Sequence, residues 1–143
     1  MTAWTPAITL LMGLRESLQM MRETGLENLW NHYAQLAKAV RAGIKAMGLE
    51  LFAQAPSNAL TSVKVPPDLD GRKLTEVLRG RYGVTVAGGQ GPLKGKIFRV
   101  THMGYYDHLD MVALMAALEL ALRDLGWEFE LGAGVAAMQK VCA

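Results

Sequence analysis

Apolar residues recur at helical spacing through the first third of the chain, then switch to a shorter period. Thr5-Pro6 reads as a capping residue followed by proline at the first helical position. Ile8, Leu11, Met12, Leu14, Leu18 and Met21 then fall on one stripe, and Gly25 ends the run. A second helix is predicted from Leu26 to Met47, striped by Leu29, Trp30, Tyr33, Leu36, Ala37, Val40 and Ile44 and stopped by Gly48. Both stripes are expected to be core surfaces rather than walls of a cofactor cleft. Beyond Gly48, Leu49–Ala53 reads as a short strand and Gln54–Asn58, with Pro56, as a turn. Leu60–Val65 alternates like a half-buried strand until Pro66-Pro67 breaks it. Asp70 caps a predicted helix over Gly71–Arg81 that Gly83 closes, with Leu74, Val77 and Leu78 facing inward. Val84–Ala87 and Ile97–Val100 are strands on either side of a glycine-dense turn. Asp107 caps a last strong helix, His108–Leu125, and the tail Trp127–Ala143 has a weaker pattern compatible with a short amphipathic helix packed on the body.

Helices mixed with runs of paired strands predict an α+β fold, a two-layer sandwich with a small sheet of about four strands and helices mainly on one face. A length of 143 residues suits one domain with a real core, and no internal repeat or low-complexity linker divides it. The expected organisation is one small domain over 1–143, with an N-terminal helix in 1–25 and an undefined tail in 126–143.

Composition sharpens this picture in one respect. Hydrophobic residues make up 51% of the chain and charged residues 20%, and the mean hydropathy is +0.15. Nine methionines and three tryptophans contribute to that surplus. It reads either as a rich core or as a surface that docks against another domain or subunit. A net charge of +2 with scattered lysines and arginines gives no nucleic-acid footprint. Cys142 is the single cysteine, so there is no disulfide framework and no ligand set for iron–sulfur or nickel chemistry. His32, His102 and His108 are too dispersed for a zinc site, so no metal is expected. No apolar stretch reaches membrane-spanning length and no secretory leader pattern opens the chain, which makes a cytoplasmic location the expectation.

The candidate chemistry lies in Val86–Gly104, V-A-G-G-Q-G-P-L-K-G-K-I-F-R-V-T-H-M-G. Gly88, Gly89, Gly91 and Gly95 allow positive φ and close backbone approach to a ligand or another chain. Arg99 stands inside the apolar strand that follows, where an arginine is costly unless a carboxylate or phosphate pairs with it. From the residues alone, an internal salt bridge and a substrate carboxylate are equally open. Phosphate-loop patterns fail. Only three residues separate Gly91 from Gly95-Lys96, Ile97 stands where Ser or Thr belongs, and Lys94 replaces the third glycine of a dinucleotide motif. His102 reads as a packed histidine rather than an acid–base group, and Glu16, Glu23 and Glu119 as members of solvated helix faces. No nucleophile–base pair emerges, so no catalytic residue is assigned within this chain.

Five segments resemble the C-terminal domain of class V aminotransferases, the fold type I pyridoxal-phosphate enzymes of the alanine–glyoxylate and serine–pyruvate aminotransferase group. They are T-P-A-I at Thr5–Ile8, G-L-R-E-S-L at Gly13–Leu18, G-L-E-N-L-W at Gly25–Trp30, G-L-E-L-F at Gly48–Phe52 and the long motif at Ala87–Gly104. The resemblance spans about residues 2–125. Some members of the group carry the label of a soluble hydrogenase small subunit, a chemistry for which this chain has no cysteine ligands.

The resemblance implies roles. Arg99 would pair with the carboxylate of the amino acid or 2-oxo acid, which favours the substrate over the internal salt bridge. Thr5 would reach across a homodimer to the pyridoxal 5'-phosphate of the other subunit, and Thr2 stands where the group has a tyrosine that shares that contact. Trp4 would line the same cleft or pack at the dimer contact. Gly88, Gly89 and Gly104 would support the pocket and its turns. The Schiff-base lysine, the acid facing the pyridinium nitrogen and the phosphate loop would lie in a large domain upstream. Lys38, Lys45, Lys64, Lys73, Lys94, Lys96 and Lys140 do not match that lysine motif. The chain therefore reads as a small domain apart from its cofactor domain, inactive alone. The intact enzyme would move an amino group between alanine or serine and glyoxylate or pyruvate. A reading from another class is a stand-alone α+β binding module without catalysis.

Overall fold

A computed structural model describes residues 4–142. The chain divides into two compact units, Met1–His32 and Tyr33–Ala143. In the first unit, α1 (Ile8–Thr24) starts later than the sequence suggests. Its N-cap is Ala7, whose methyl side chain cannot accept a bond, and the Ile8 amide donates to the Pro6 carbonyl at 2.9 Å. Thr5 is therefore not the cap. The stripe of α1 is also not core, since none of its residues is buried and Leu11, Met12, Leu14 and Leu18 are more than half exposed. An amphipathic period shows that a helix has a face to cover but not where the cover comes from. Helix α2 (Leu26–Ala46) begins with Leu26 and Trp30 exposed, also against expectation for Trp30.

In the second unit, Leu36, Ala37, Ala39, Val40 and Ile44 of α2 are buried. The remaining elements are β1 (Leu60–Lys64), α3 (Gly71–Tyr82), β2 (Ala87–Gly88), β3 (Ile97–Thr101), α4 (His108–Asp124) and α5 (Ala133–Cys142). The sheet has three antiparallel strands in the order β1-β3-β2, one fewer than expected. Leu49–Ala53 contributes one bridge, Leu51 to Val63. The flanking bonds are from Phe52 to Ser62 and from Lys64 to Glu50. Val84–Ala87 shortens to Ala87–Gly88 because the Val84 amide is spent on the Leu78 carbonyl, closing α3. The α+β class stands.

Alternation along β1 and β3 separates two faces. Thr61, Val63, Phe98 and Val100 are buried, and the apolar members of this face join Leu74, Leu78, Met115, Leu118 and Leu122 in one core. Ser62, Lys64, Arg99 and Thr101 occupy the other face and are more accessible. Helix ends follow the sequence closely here. The Asp70 carboxylate accepts from the Arg72 and Lys73 amides, and Asp107 forms a capping box with Asp110.

Glu119 departs from its expected solvated role. It is 3% exposed, and its carboxylate accepts from the amides of Gly132 (2.8 Å), Gly134 (2.8 Å) and Val135 (3.0 Å). A carboxylate held by several amides at a helix N-terminus satisfies the orphan donors and the positive end of the helix dipole. The tail is thereby docked as α5, and the Trp127 indole donates to the Met47 carbonyl at 2.9 Å just before it.

Glu119→Ala should remove all three acceptors and cost about 3 kcal/mol of stability. Glu16→Ala, on an exposed face of α1, should change it by less than about 0.5 kcal/mol. Urea unfolding followed by circular dichroism checks both, and equal effects would contradict the buried cap.

Candidate functional site

Arg99 sits on the more open face of β3, the middle strand of the sheet. Its cross-strand neighbours are Ser62 on β1 and Ala87 on β2, both small, so the long side chain has room to lie along the sheet. The guanidinium is aimed by one bond, Nη2 donating to the Gly88 carbonyl at 2.9 Å. Its Nε is buried and has no hydrogen-bond partner among the described residues. Among the described residues the ion pairs are Lys64–Glu50 and Arg81–Asp124, and no carboxylate pairs with Arg99. A half-buried cation with one donor orphaned is expensive unless an anion completes it.

An open groove of about 600 Å³ adjoins this side chain. Val84, Val86, Met111 and Leu114 supply apolar lining, and Thr85, Arg99, Thr101, Tyr106 and Asp110 supply polar groups. The glycine turn holds the carbonyl that aims Arg99. The Gly89 amide donates to the Ile97 carbonyl at 2.9 Å, and a Cβ on Gly89 would overlap the Leu93 carbonyl oxygen. Gly104 has φ +128° and accepts from the Tyr33 hydroxyl at 3.3 Å. A Cβ there would come within 2.9 Å of the Tyr106 ring.

The expected site residues thus separate. Arg99, Gly88 and Gly89 are brought together, and Gly104 lies at the turn that leads into the groove-lining Tyr106. Thr5 and Trp4 are exposed residues of the first unit, and Thr2 lies outside the described residues. Tyr106 was not singled out by sequence. Tyr105-Tyr106 is a plain pair in the chain, and only the turn at Gly104 puts Tyr106 in the groove while Tyr105 is 93% exposed. All of the chain's lysines are exposed and none lines the groove, so the residues here do not fit covalent attachment of an aldehyde cofactor. No cluster of metal-ligating side chains occurs among the described residues. None of their helices is long and apolar enough to cross a membrane.

Comparison with known proteins places this geometry in context. The family described as aminotransferase class-V matches residues 1–104. An uncharacterized aminotransferase of Methanocaldococcus jannaschii is 44% identical over 129 residues, 89% of this chain and 34% of that protein. The serine–glyoxylate aminotransferase of Arabidopsis thaliana is 38% identical over 137 residues, covering 94% of this chain and 34% of the relative. The crystal structure of pyridoxamine–pyruvate aminotransferase from Mesorhizobium loti superposes with a TM-score of 0.93 at 33% identity, covering 99% of this chain and 37% of that one. The chain spans about a third of the length of the relatives it matches.

Behind Arg99, the same strand runs into a buried polar relay. His102 is fully buried, its Nδ1 lying 3.1 Å from the Asn58 carbonyl and its Nε2 3.0 Å from the Thr61 hydroxyl. A carbonyl only accepts, so Nδ1 carries the proton and Nε2 accepts from Thr61. Thr61 in turn accepts from Arg41 Nε at 3.3 Å, and Arg41 Nη2 donates to the Ser57 carbonyl at 2.6 Å. His102 is therefore a packed, structural histidine. Burial pushes its pKa below the ordinary 6.5 and the Arg41 charge adds to this, while the bond to Asn58 opposes them.

The unfolded chain binds the proton more readily, so the stability due to His102 is complete above about pH 6.5. It is lost as the pH falls below that value toward the lowered folded pKa. Urea midpoints should decline from about pH 7 to 5.5, and His102→Gln should flatten the decline. A wild-type midpoint independent of pH over that range would contradict the relay.

Proposed function

The chain belongs to the class-V aminotransferase family, whose members depend on pyridoxal phosphate, and from that premise we propose that it is the C-terminal domain of such an enzyme. The proposed reaction moves an amino group between a small amino acid, alanine or serine, and a 2-oxo acid, glyoxylate or pyruvate. The name of the Arabidopsis relative, a serine–glyoxylate aminotransferase, supports this substrate class. The observation that carries the proposal is Arg99, a guanidinium aimed by Gly88, adjoining an open groove, with a buried Nε that no group among the described residues satisfies.

In this reading Arg99 binds the substrate carboxylate. Two parallel charge-assisted bonds fix both the position and the plane of a carboxylate, which orients the reacting carbon and turns binding energy into alignment. The groove's apolar residues lower the local polarity around that ion pair and strengthen it. The cofactor supplies the electron-sink chemistry when bound. None of this chain's lysines lines the groove, and its contribution would be the Thr5 hydroxyl, directed to the cofactor phosphate of the other subunit of a homodimer.

Two measurements test the proposal. The isolated chain mixed with pyridoxal phosphate should show neither transamination nor a stoichiometric visible absorbance band that survives dialysis; turnover by the chain alone would refute the division of labour. In the full-length enzyme, Arg99→Ala should raise the KM for the amino acid or lower kcat/KM by roughly 30- to 5,000-fold, the range of about 2–5 kcal/mol for truncating a desolvated charge pair. Arg99→Lys should fall toward the lower end, since ammonium is a point charge on a flexible stem. A lowered melting temperature with an unchanged KM would make Arg99 scaffolding instead.

A further inference from the structure

Three candidates compete for further function: the uncovered apolar face of α1, the His102 relay, and the aromatic residue at the groove. Nothing in the structure shows what covers α1, and the relay is spent on packing. The groove carries an inference.

Tyr106 is the only aromatic side chain among the groove's lining residues, and Arg99 lines the same groove. The residue is 43% exposed and lines the groove. Its surroundings restrict where it can stand. On one side the ring packs on Gly104, so closely that a Cβ at that position would sit 2.9 Å from Cε2 and 3.1 Å from Cδ2. The Gly104 carbonyl is tethered to α2 by the Tyr33 hydroxyl. On the other side the chain passes directly into the capping box of α4, where the Asp107 amide donates to Asp110 Oδ2 at 2.9 Å. The ring thus packs on one tethered residue, and its backbone leads into a capped helix, which limits where the ring can stand in the groove.

We propose that Tyr106 determines side-chain specificity, its ring limiting the size of the amino-acid side chain that fits beside the Arg99-bound carboxylate. This rests on the reading of Arg99 as the carboxylate clamp. Tyr33 and Gly104 are then positioning residues that act through the ring. The large aromatic face excludes branched side chains by volume, and a difference of a few methylenes in such a pocket is worth tenfold or more in selectivity.

The test uses the full-length enzyme with its cofactor and compares kcat/KM for alanine and for leucine. Tyr106→Ala should raise the leucine-to-alanine ratio about tenfold or more. Gly104→Ala keeps the tyrosine but displaces its ring, and should move the ratio in the same direction by a smaller factor. In the Tyr106→Ala background, Gly104→Ala and Tyr33→Phe should add nothing to the ratio, as expected if they act only through the ring. Arg99→Lys is measured in parallel. If it raises the KM for both donors while the ratio stays unchanged in Tyr106→Ala and Gly104→Ala, the specificity role is overturned and the clamp stands. If Arg99→Lys leaves both KM values unchanged, the clamp fails and the specificity role fails with it.

Discussion

The two-sidedness of the middle strand is the constraint on which the second unit depends. Ile97–Thr101 pairs with β1 along one edge and β2 along the other, so its backbone bonds are satisfied and its position is determined by both neighbours. Successive side chains must then point to opposite faces. Phe98 and Val100 go to the core with Val63, Leu74, Leu118 and Leu122, and Arg99 is left on the other face. The arginine is not tolerated within an apolar strand in spite of its charge. It is placed by the burial of its neighbours, since a one-residue slip would bury the guanidinium and expose Phe98.

Polar groups complete the frame where apolar packing cannot. Three amides at the start of α5 would be unsatisfied without the Glu119 carboxylate. The Ser57–Ala59 segment would likewise lose its fastening without Arg41, Thr61 and His102. Buried groups of this kind contribute modestly when paired and cost heavily when one partner is removed. They also tie segments far apart in the chain, such as Asn58 to His102 and Glu119 to Val135, and so hold the ends of β3 and α4 in register with the loops around them.

The apolar surplus of the composition divides between two places. Part of it is the core of the second unit, and part lies uncovered on α1, where Leu11, Leu14 and Leu18 are exposed. Such a face is unusual for a surface helix.

Much of this protein was written in local sequence. The Asp70 and Asp107 caps, the glycine stops after α1 and α3, the alternation of Leu60–Lys64 and the Arg99 position each depend on residues a few places apart, and short-range chemistry decides them. The long motif that ends at Gly104 likewise identified the family through residues contiguous in the chain. Other features depended on partners distant in sequence. Leu49–Ala53 failed to become a strand because it formed only one bridge to Val63, and Val84 left β2 because Leu78 claimed its amide. Glu119 has the period of a solvated face, yet α5 folds over it and makes it a buried cap. Arg99 was equally a salt-bridge partner or a ligand clamp by its residues alone, and the fold gives it the Gly88 carbonyl and, among the described residues, no ion pair. Tyr106 and Tyr105 are equivalent in sequence, and the turn at Gly104 distinguishes them by bringing one ring into the groove. Periodicity tells which side chains share a face; only the folded chain decides what lies against that face, because burial and hydrogen-bond satisfaction are set by neighbours that the sequence does not order.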